Sequence, residues 1–260
     1  MKKDTRRTLI AVASAVAVFV AAYACLLMYS GTSTPLYTIE SGSMMHSERS
    51  HLGIIDTGDM VVVRDPSKAN VVTYLEGSCS GYSMFGDYGD VIIYKNAAGR
   101  TIIHRAMLHL DWNGDDGTWT VKGFTEYTGN VNITGGSISA DGVADGGTLV
   151  FEDIHHADGL PLKVDLDSLV RTSGYITMGD ANNLTDQETG ISMNRTVNAE
   201  MISAIAVLEI PWLGCIKLFV SGNNADKIPT NSVWSLIITI SLMVAAVAAV
   251  TVVHDRIRKR

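Results

Sequence analysis

Hydrophobic residues form two long, uninterrupted blocks near the ends of this chain and only short runs between them. Neither residues 8–29 nor residues 233–253 contain a charged side chain. Each block has about the 20 residues that an α-helix needs to cross the hydrocarbon core of a bilayer. The pattern therefore predicts two transmembrane helices, with a folded domain over residues 30–232 between them.

The first block also has some features of a cleaved signal peptide. Basic residues precede it between Lys2 and Arg7, and alanines occur near its end within residues 21–24. A signal peptide has an apolar core of only about 7 to 15 residues, whereas this block continues through the apolar residues 25–28. The length favours an uncleaved membrane anchor.

Basic side chains at both ends of the chain indicate how the two helices are oriented. They lie within residues 2–7 before the first block and within residues 256–260 after the second. Because such residues favour the cytoplasmic side, we expect cytoplasmic segments at 1–7 and 254–260 and an extracytoplasmic domain at 30–232. The chain is thus predicted to be a multi-pass protein of the cell membrane.

The predicted domain is strongly acidic. The whole chain has a formal net charge of −7, and many of its basic residues lie in the two terminal segments. Within residues 30–232, 25 Asp and Glu residues outnumber 12 Lys and Arg residues, which gives a net charge of −13. An acidic surface of this kind argues against a nucleic-acid partner and fits a well-solvated domain.

The short apolar runs in the domain have the character of β-strands. They are rich in β-branched residues and are bounded by Gly, Asn and Asp, which is typical of strands and turns. The clearest is a hairpin of residues 91–94 and 101–104. Further strands are predicted at 36–39, 60–63, 71–75, 119–121, 175–178 and 202–210, and another apolar stretch follows at 216–220. Without a convincing amphipathic helix, the pattern indicates a mainly β domain.

One segment of the domain differs from the rest in composition. Residues 125–148 are dominated by Gly, Ser, Asn and Asp and contain few large apolar side chains. Such a composition is typical of a flexible excursion, and we assign no chemistry to it.

Cysteine and histidine spacing gives no sign of a metal centre. Cys25 lies in the first apolar block, so Cys79 and Cys215 are the only possible pair outside it, and sequence does not decide whether they bond. No zinc or redox spacing is present, and the adjacent His155 and His156 are better interpreted as a solvated loop than as metal ligands.

Candidate chemistry centres on the turn Ser41–Met44, which follows the first apolar block closely. A serine hydroxyl is a weak nucleophile and needs a neighbouring base, for which imidazole is well suited. His104 could serve as that base, and a carboxylate at Asp180 or Asp186 could hold the imidazole. The Ser43 N–H and the Ser41 hydroxyl could donate to an oxyanion. Each residue taken alone is commonplace, so the order and context of all of them matter.

That order resembles signal peptidase I. The resemblance lies in five motifs that occur in the family's order, namely Ser41–Met44, Gly58–Asp59, Gly89–Ile93, Ile102–Arg105 and Gly179–Asn182 with Asp186. The pair His104–Arg105 stands where the bacterial branch carries a lysine base, and so resembles the archaeal and endoplasmic-reticulum branch, peptidase family S26B. Residues 210–214 are similar to a Pro-aromatic-x-Gly segment of that branch. The match covers about residues 10–105 and 175–220.

The resemblance implies a signal-peptidase-like, β-rich catalytic domain flanked by N- and C-terminal transmembrane helices. It implies a membrane-bound serine endopeptidase that removes signal peptides after small residues at positions −1 and −3, with the export machinery as a partner and with no metal or organic cofactor. Ser43 is then the nucleophile, His104 the general base and Ser41 an oxyanion donor. Asp186 is the first choice for the carboxylate at His104, with Asp180 as a second functional acid.

Two positions depart from the family pattern. His46 occupies a position where proline is common, two residues after the methionine of the serine motif, and Met178 stands where a lysine often precedes Gly-Asp. Both departures affect the expected loop geometry and substrate preference and leave the chemical groups unchanged.

Two other functions compete with this interpretation. One is a catalytically inert, membrane-tethered β domain that binds or scaffolds partners at the surface. The other is a hydrolase with a Ser/Lys dyad, in which Lys95 or Lys122 replaces His104 as the base. The serine peptidase hypothesis requires Ser43 Oγ near hydrogen-bonding distance of one His104 nitrogen and a carboxylate at the other.

Overall fold

The computed structural model describes residues 3–155 and 159–258, and in this range the chain forms four α-helices and thirteen strands. The helices are α1 (Lys3–Ser30), α2 (Tyr74–Ser80), α3 (Gly214–Ser221) and α4 (Thr230–Arg258). The strands are β1 (Leu36–Thr38), β2 (Met60–Arg64), β3 (Ser83–Met84), β4 (Asp87–Tyr88), β5 (Val91–Lys95), β6 (Thr101–Asn113), β7 (Thr118–Val121), β8 (Val131–Thr134), β9 (Val143–Ala144), β10 (Thr148–His155), β11 (Pro161–Asp165), β12 (Gly174–Met178) and β13 (Ile202–Ile210).

Helices α1 and α4 contain the two apolar blocks. The spans Thr8–Ser30 and Thr230–Thr251 are long and apolar enough to cross a membrane, and the most apolar 18-residue window of each is not buried inside the protein. Their bounds lie within a few residues of the predicted 8–29 and 233–253. The structure thus confirms two terminal helices of the predicted length around a β-rich domain.

The domain is built on an eight-stranded sheet. Its strands run in the order β1-β2-β13-β5-β6-β7-β9, and β12 also pairs with β6. The predicted hairpin is confirmed as β5 and β6, which are antiparallel and place His104 opposite Ile92 and Arg105 opposite Val91. Strand β1 lies at one edge of the sheet, and β6 is much longer than the run predicted from its β-branched residues.

Apolar β-branched residues explain why the central strands lie where they do. Val61, Val63, Val91 and Ile93 are fully buried and belong to one hydrophobic cluster. Alternate residues of a strand point to opposite faces of the sheet, and both faces of β2 and β5 are covered. These runs therefore form a central, two-sided core rather than a surface sheet.

The segment 125–148, predicted to be a flexible excursion, contains regular structure. Strand β8 joins β10 and β11 in a second sheet of three strands, and β9 extends the main sheet beyond β7. In β8 the half-buried Val131 and Ile133 alternate with exposed residues and pack against the core. This short alternation is enough to specify an edge strand. The Gly-rich composition of the neighbouring turns makes the alternation hard to detect in the sequence.

Two apolar stretches contribute to helices, although one of them is predicted to be a strand and no helix is expected in the domain. The strand expected at 71–75 is wrong, because Thr73 caps α2 through a reciprocal capping box with Glu76. Residues 216–220 belong to α3, in which Cys215 and Leu218, one helical turn apart, face inward. Cys25, Cys79 and Cys215 are all unpaired.

Both terminal helices are fastened to the domain by hydrogen bonds. At the end of α1, the Ser30 carbonyl accepts from the Asp65 N–H at 2.9 Å. At the start of α4, the Asn231 side chain accepts from the Ser50 N–H at 3.1 Å and donates to the Ser50 carbonyl at 2.8 Å. The loop after Ser43 is thereby attached to the first turn of α4.

We predict that Asn231→Ala releases the loop around Ser50 from α4. Loss of about 1 kcal/mol of local hydrogen bonding increases the open population about fivefold. Limited trypsinolysis in detergent should therefore cut after Arg49, which is exposed, about five times faster in the variant. Asn223→Ala, in an exposed turn before α4, is the matched control. Equal cutting rates in Asn231→Ala and the unmodified protein would contradict the proposed attachment.

Candidate active site

Ser43 lies in the turn between β1 and β2, at the surface of the main core. The turn is closed by a hydrogen bond of 3.1 Å from the Met45 N–H to the Gly42 carbonyl. Met44 is buried and packs with Ile39 and Ile55. Because Met44 anchors the turn in the core, the half-buried Ser43 is held facing the neighbouring strand β6.

His104 brings its two ring nitrogens to Ser43 and Asp186. Its side chain is 5% exposed, and its Nε2 lies 3.0 Å from Ser43 Oγ. Its Nδ1 lies 2.7 and 2.8 Å from the two oxygens of Asp186. The structure therefore places Ser43, His104 and Asp186 in one chain of hydrogen bonds, with the separations that the serine peptidase hypothesis requires.

Asp186 is held by two buried hydroxyls besides His104. Tyr94 and Thr177 donate to its Oδ2 at 2.7 and 2.6 Å. Burial, reinforced by the Asp186 charge, raises the pKa of Tyr94, so this hydroxyl keeps its proton and remains a donor. A carboxylate fixed in this way favours the imidazole tautomer with the proton on Nδ1, which leaves Nε2 free to accept the serine proton.

Asp180 contacts Arg105 rather than His104. Arg105 Nε donates to Asp180 Oδ1 at 2.8 Å, and Arg105 Nη2 donates to Oδ2. Burial opposes ionisation of Asp180, but the Arg105 charge and its hydrogen bonds outweigh that effect and lower the pKa of Asp180. Of the two candidate acids, Asp186 is the one at His104, and Asp180 belongs to a buried ion pair next to it.

Arg105 in turn organises the hairpin formed by β3 and β4. Its Nη1 donates to the carbonyls of Met84, Tyr88 and Gly89 at 3.0, 3.1 and 3.0 Å. The residue is fully buried, and these carbonyls with Asp180 satisfy its donors. Arg105 therefore ties the hairpin and the Asp180 turn to the strand that carries His104.

The turn 179–182 touches Ser43 directly. The Ala181 N–H donates to the Ser43 carbonyl at 2.9 Å. A Cβ at Gly179 would lie 2.5 Å from that carbonyl oxygen and 2.9 Å from His104 Nε2. Any side chain at Gly179 would thus displace Ser43 or His104, which explains the glycine of the Gly-Asp motif.

Two groups lie where an oxyanion would form. Ser41 Oγ is 3.3 Å from Ser43 Oγ and is exposed. Within the described part of the chain, the Ser43 N–H makes no hydrogen bond and is available as a donor. These are the two donors named from the sequence, and their role at an oxyanion stays a prediction.

The alternative lysine bases lie elsewhere. Lys95 is exposed at the end of β5, and Lys122 is 3.5 Å from Glu76, beside α2. Among the described residues, the hydrogen-bond partners of Ser43 Oγ are Ser41 and His104. This geometry offers no support for a Ser/Lys dyad.

A groove of about 820 Å³ leads away from Ser43 and His104. One wall is the edge strand β1, and the other is the segment 101–104 of β6, which within the described residues pairs only with β5. Leu36, Ile39 and Ile103 give the groove an apolar lining. Two unpaired strand edges facing each other suit an extended peptide, which can hydrogen-bond to both.

His155 lies at the end of β10, and His156 is outside the described residues. Among the described residues, no group of three or more His, Cys, Asp or Glu side chains could hold a metal ion.

A cluster of carboxyl groups lies behind the serine turn. Asp59 accepts hydrogen bonds from the N–H groups of Asp56 and Trp212 at 2.8 and 2.7 Å, and Glu209 accepts from the Gly53 N–H at 2.6 Å. Burial raises the pKa of Asp59 to about 6, and burial with the neighbouring Asp59 raises the pKa of Glu209 to about 7. These carboxyls are therefore protonated more readily in the folded protein than in the unfolded chain.

Sequence patterns do not reveal several residues of this site. Tyr94 and Thr177 have the pattern of ordinary strand residues, and His46 is visible only as a departure from the family motif. His46 Nε2 lies 3.0 Å from Asp180 Oδ2. The only sequence signal for these contacts is the proximity of His46 and Thr177 to the Ser-Gly-Ser and Gly-Asp motifs.

Comparisons with known proteins add no family assignment. Neither the models of known protein families nor the curated proteins give a match to this chain. A function must therefore be inferred from the geometry of the site and from the resemblance of its motifs.

We predict that Glu209→Gln stabilises the protein at alkaline pH. A carboxyl whose pKa is raised on folding costs stability once it ionises, so the unmodified protein loses stability as the pH rises from about 5 through 7. The midpoint of thermal unfolding should be about 2 to 4 °C higher in the variant at pH 8, corresponding to about 1 kcal/mol, and nearly equal at pH 5. Glu200→Gln, at an exposed site, should show no such pH-dependent difference. A gain of the same size at both pH values would contradict this explanation.

Proposed function

We propose that this protein is a membrane-bound serine endopeptidase that cleaves signal peptides from exported preproteins. The observation that carries the proposal is the chain of hydrogen bonds from Ser43 Oγ through His104 to Asp186. Its three members lie in the order and sequence context that resemble signal peptidase I. Its carboxylate end is buried and fully bonded, whereas its serine end opens on a groove.

The proposed reaction follows from the positions of these groups. Ser43 Oγ attacks the scissile carbonyl while His104 Nε2 removes the hydroxyl proton, and Asp186 stabilises the imidazolium. The Ser43 N–H and Ser41 Oγ donate to the developing oxyanion. His104 then returns the proton to the leaving amine, and water hydrolyses the acyl-enzyme by the reverse sequence of proton transfers.

The groove supports a peptide substrate in an extended conformation. A strand lying between β1 and residues 101–103 would present every second side chain to the apolar wall. Small residues next to the scissile bond are what the resemblance implies.

Two terminal helices support a location at a membrane. Each is long and apolar enough to span a bilayer, and the basic segments at both ends favour a domain on the extracytoplasmic side. Signal peptides of preproteins and the export machinery are the partners that this location suggests. No nucleic-acid partner is proposed, because the domain is acidic.

We expect Ser43→Ala and His104→Ala to abolish cleavage of a preprotein in proteoliposomes. Loss of either member of such a unit reduces kcat by about 10⁵ to 10⁶, below the detection limit of a gel assay. Lys95→Ala should cleave at the normal rate, since the exposed Lys95 has no contact with Ser43. Near-normal cleavage by His104→Ala would show that the base is misassigned. An unmodified protein that cleaves no preprotein would instead favour the inert binding domain.

Replacing Asp186 or Asp180 by asparagine is expected to affect a different property in each case. Asp186→Asn should reduce kcat about 10³- to 10⁴-fold in a folded protein, because the carboxylate that orients His104 is lost. Asp180→Asn should mainly reduce stability, by about 3 to 5 kcal/mol, since Arg105 keeps its buried charge without a counterion. Thermal unfolding and single-turnover cleavage distinguish the two effects. The opposite pattern would reverse the roles assigned to the acids.

A further inference from the structure

The side chain of His46 lies at a junction of three elements near Ser43. It lies two residues after the turn Ser41–Met44, here called the serine turn. Its Nε2 is 3.0 Å from Asp180 Oδ2 on the turn after β12. A Cβ at Gly86, between β3 and β4, would lie 3.0 Å from His46 Cε1. Gly86 has φ +86°, a conformation that suits glycine, so the hairpin backbone passes close beside the imidazole.

The His46–Asp180 contact is the second link between the serine turn and the Asp180 turn. The first is the hydrogen bond from the Ala181 N–H to the Ser43 carbonyl. His46 is three residues from Ser43, so the two links lie on the same short piece of chain. A proline at this position, as the family pattern has it, could not make the side-chain link.

Several charged groups face His46. The Asp180 hydrogen bond is the largest influence and raises the pKa of His46 above its usual value of 6.5, although burial opposes this. Asp87 on β4 acts in the same direction, and Arg105 on β6 acts against it. Asp56, farther along the loop, also interacts electrostatically with His46. The acidic neighbours prevail and favour the imidazolium.

We propose that His46 is a positioning residue whose protonated side chain, bonded to Asp180, holds Ser43 in register with His104. This inference rests on the proposed peptidase function and adds a pH-sensitive link to it. The hydrogen bond from an imidazolium to the Asp180 carboxylate joins opposite charges and is therefore stronger than the bond from a neutral imidazole. Loss of the proton therefore loosens the serine turn while leaving Ser43, His104 and Asp186 chemically intact.

The two histidines then have opposite protonation requirements. His104 acts as a base only when it is neutral, whereas His46 bonds Asp180 most strongly as the imidazolium. The stabilisation from His46 is complete below its ordinary pKa of 6.5 and is lost as the pH rises through its higher folded-state pKa. We therefore expect kcat to fall on the alkaline side as His46 loses its proton.

The test compares His46→Gln, His46→Ala and the unmodified protein in proteoliposomes between pH 6 and 9. The unmodified protein should lose about fivefold in kcat on the alkaline side, with KM unchanged. His46→Gln keeps a donor that does not titrate, so its alkaline decrease should disappear. His46→Ala should be about tenfold slower near pH 7, the change expected from losing one charge-assisted hydrogen bond, and should approach the unmodified rate at pH 9.

His51→Gln is the matched control, because His51 is an exposed imidazole in the same loop and its ring contacts only Ser47 Oγ within the described residues. It should keep both the rate and the alkaline decrease. An alkaline decrease that persists in His46→Gln, or an unchanged kcat in His46→Ala, overturns the inference and leaves the peptidase function standing. Absence of cleavage by the unmodified protein, or cleavage by Ser43→Ala, overturns both.

Discussion

The site depends on one buried cation, the guanidinium of Arg105. Neighbouring residues of a strand point to opposite faces, so His104 and Arg105 serve two different sides of β6. His104 faces Ser43 and Asp186, while Arg105 collects the hairpin carbonyls and the Asp180 carboxylate. A buried charge is tolerable only when its donors are satisfied, and this requirement fixes the hairpin and the Asp180 turn against the strand.

Once Asp180 is fixed, the position of Ser43 relative to His104 follows. The turn that begins at Gly179 carries the Ala181 N–H to the Ser43 carbonyl and leaves no room for a side chain beside His104. Six residues farther on, the same loop returns to place Asp186 under His104, where Tyr94 and Thr177 hold it. The short loop after β12 thus supplies both Asp180 of the ion pair with Arg105 and Asp186 of the hydrogen-bond chain to Ser43.

The sequence predicts the individual strands and motif residues better than the contacts between them. Runs of Val and Ile predict β2, β5 and β13 because a two-sided core selects for them. The same reasoning fails at α2, where the local capping box at Thr73 overrides a weak strand pattern. It also fails at β8, whose two apolar residues are too few to stand out from the surrounding turns.

The choice between Asp180 and Asp186 shows the same limit at the site. Both acids lie in the loop after β12, and the hydrogen bond from the Asp186 N–H to the Thr177 carbonyl folds that loop back so that Asp186 reaches His104. The motif order predicts Ser43, His104 and the two acids, since their residue types and sequence context are local features. The donors at Asp186 and the contact of His46 arise from elements far apart in the chain, and no local pattern contains them.

The attachment of both terminal helices has a consequence for the position of the bond that the proposed peptidase would cut. In the proposed arrangement, the hydrogen bonds at Ser30 and Asn231 fix the height of the domain above the bilayer, and with it the height of Ser43. Because this height is fixed, a substrate held in the lipid would be cut at a set distance from the membrane surface. Changing the length of the connection between either helix and the domain would move the cut along the substrate.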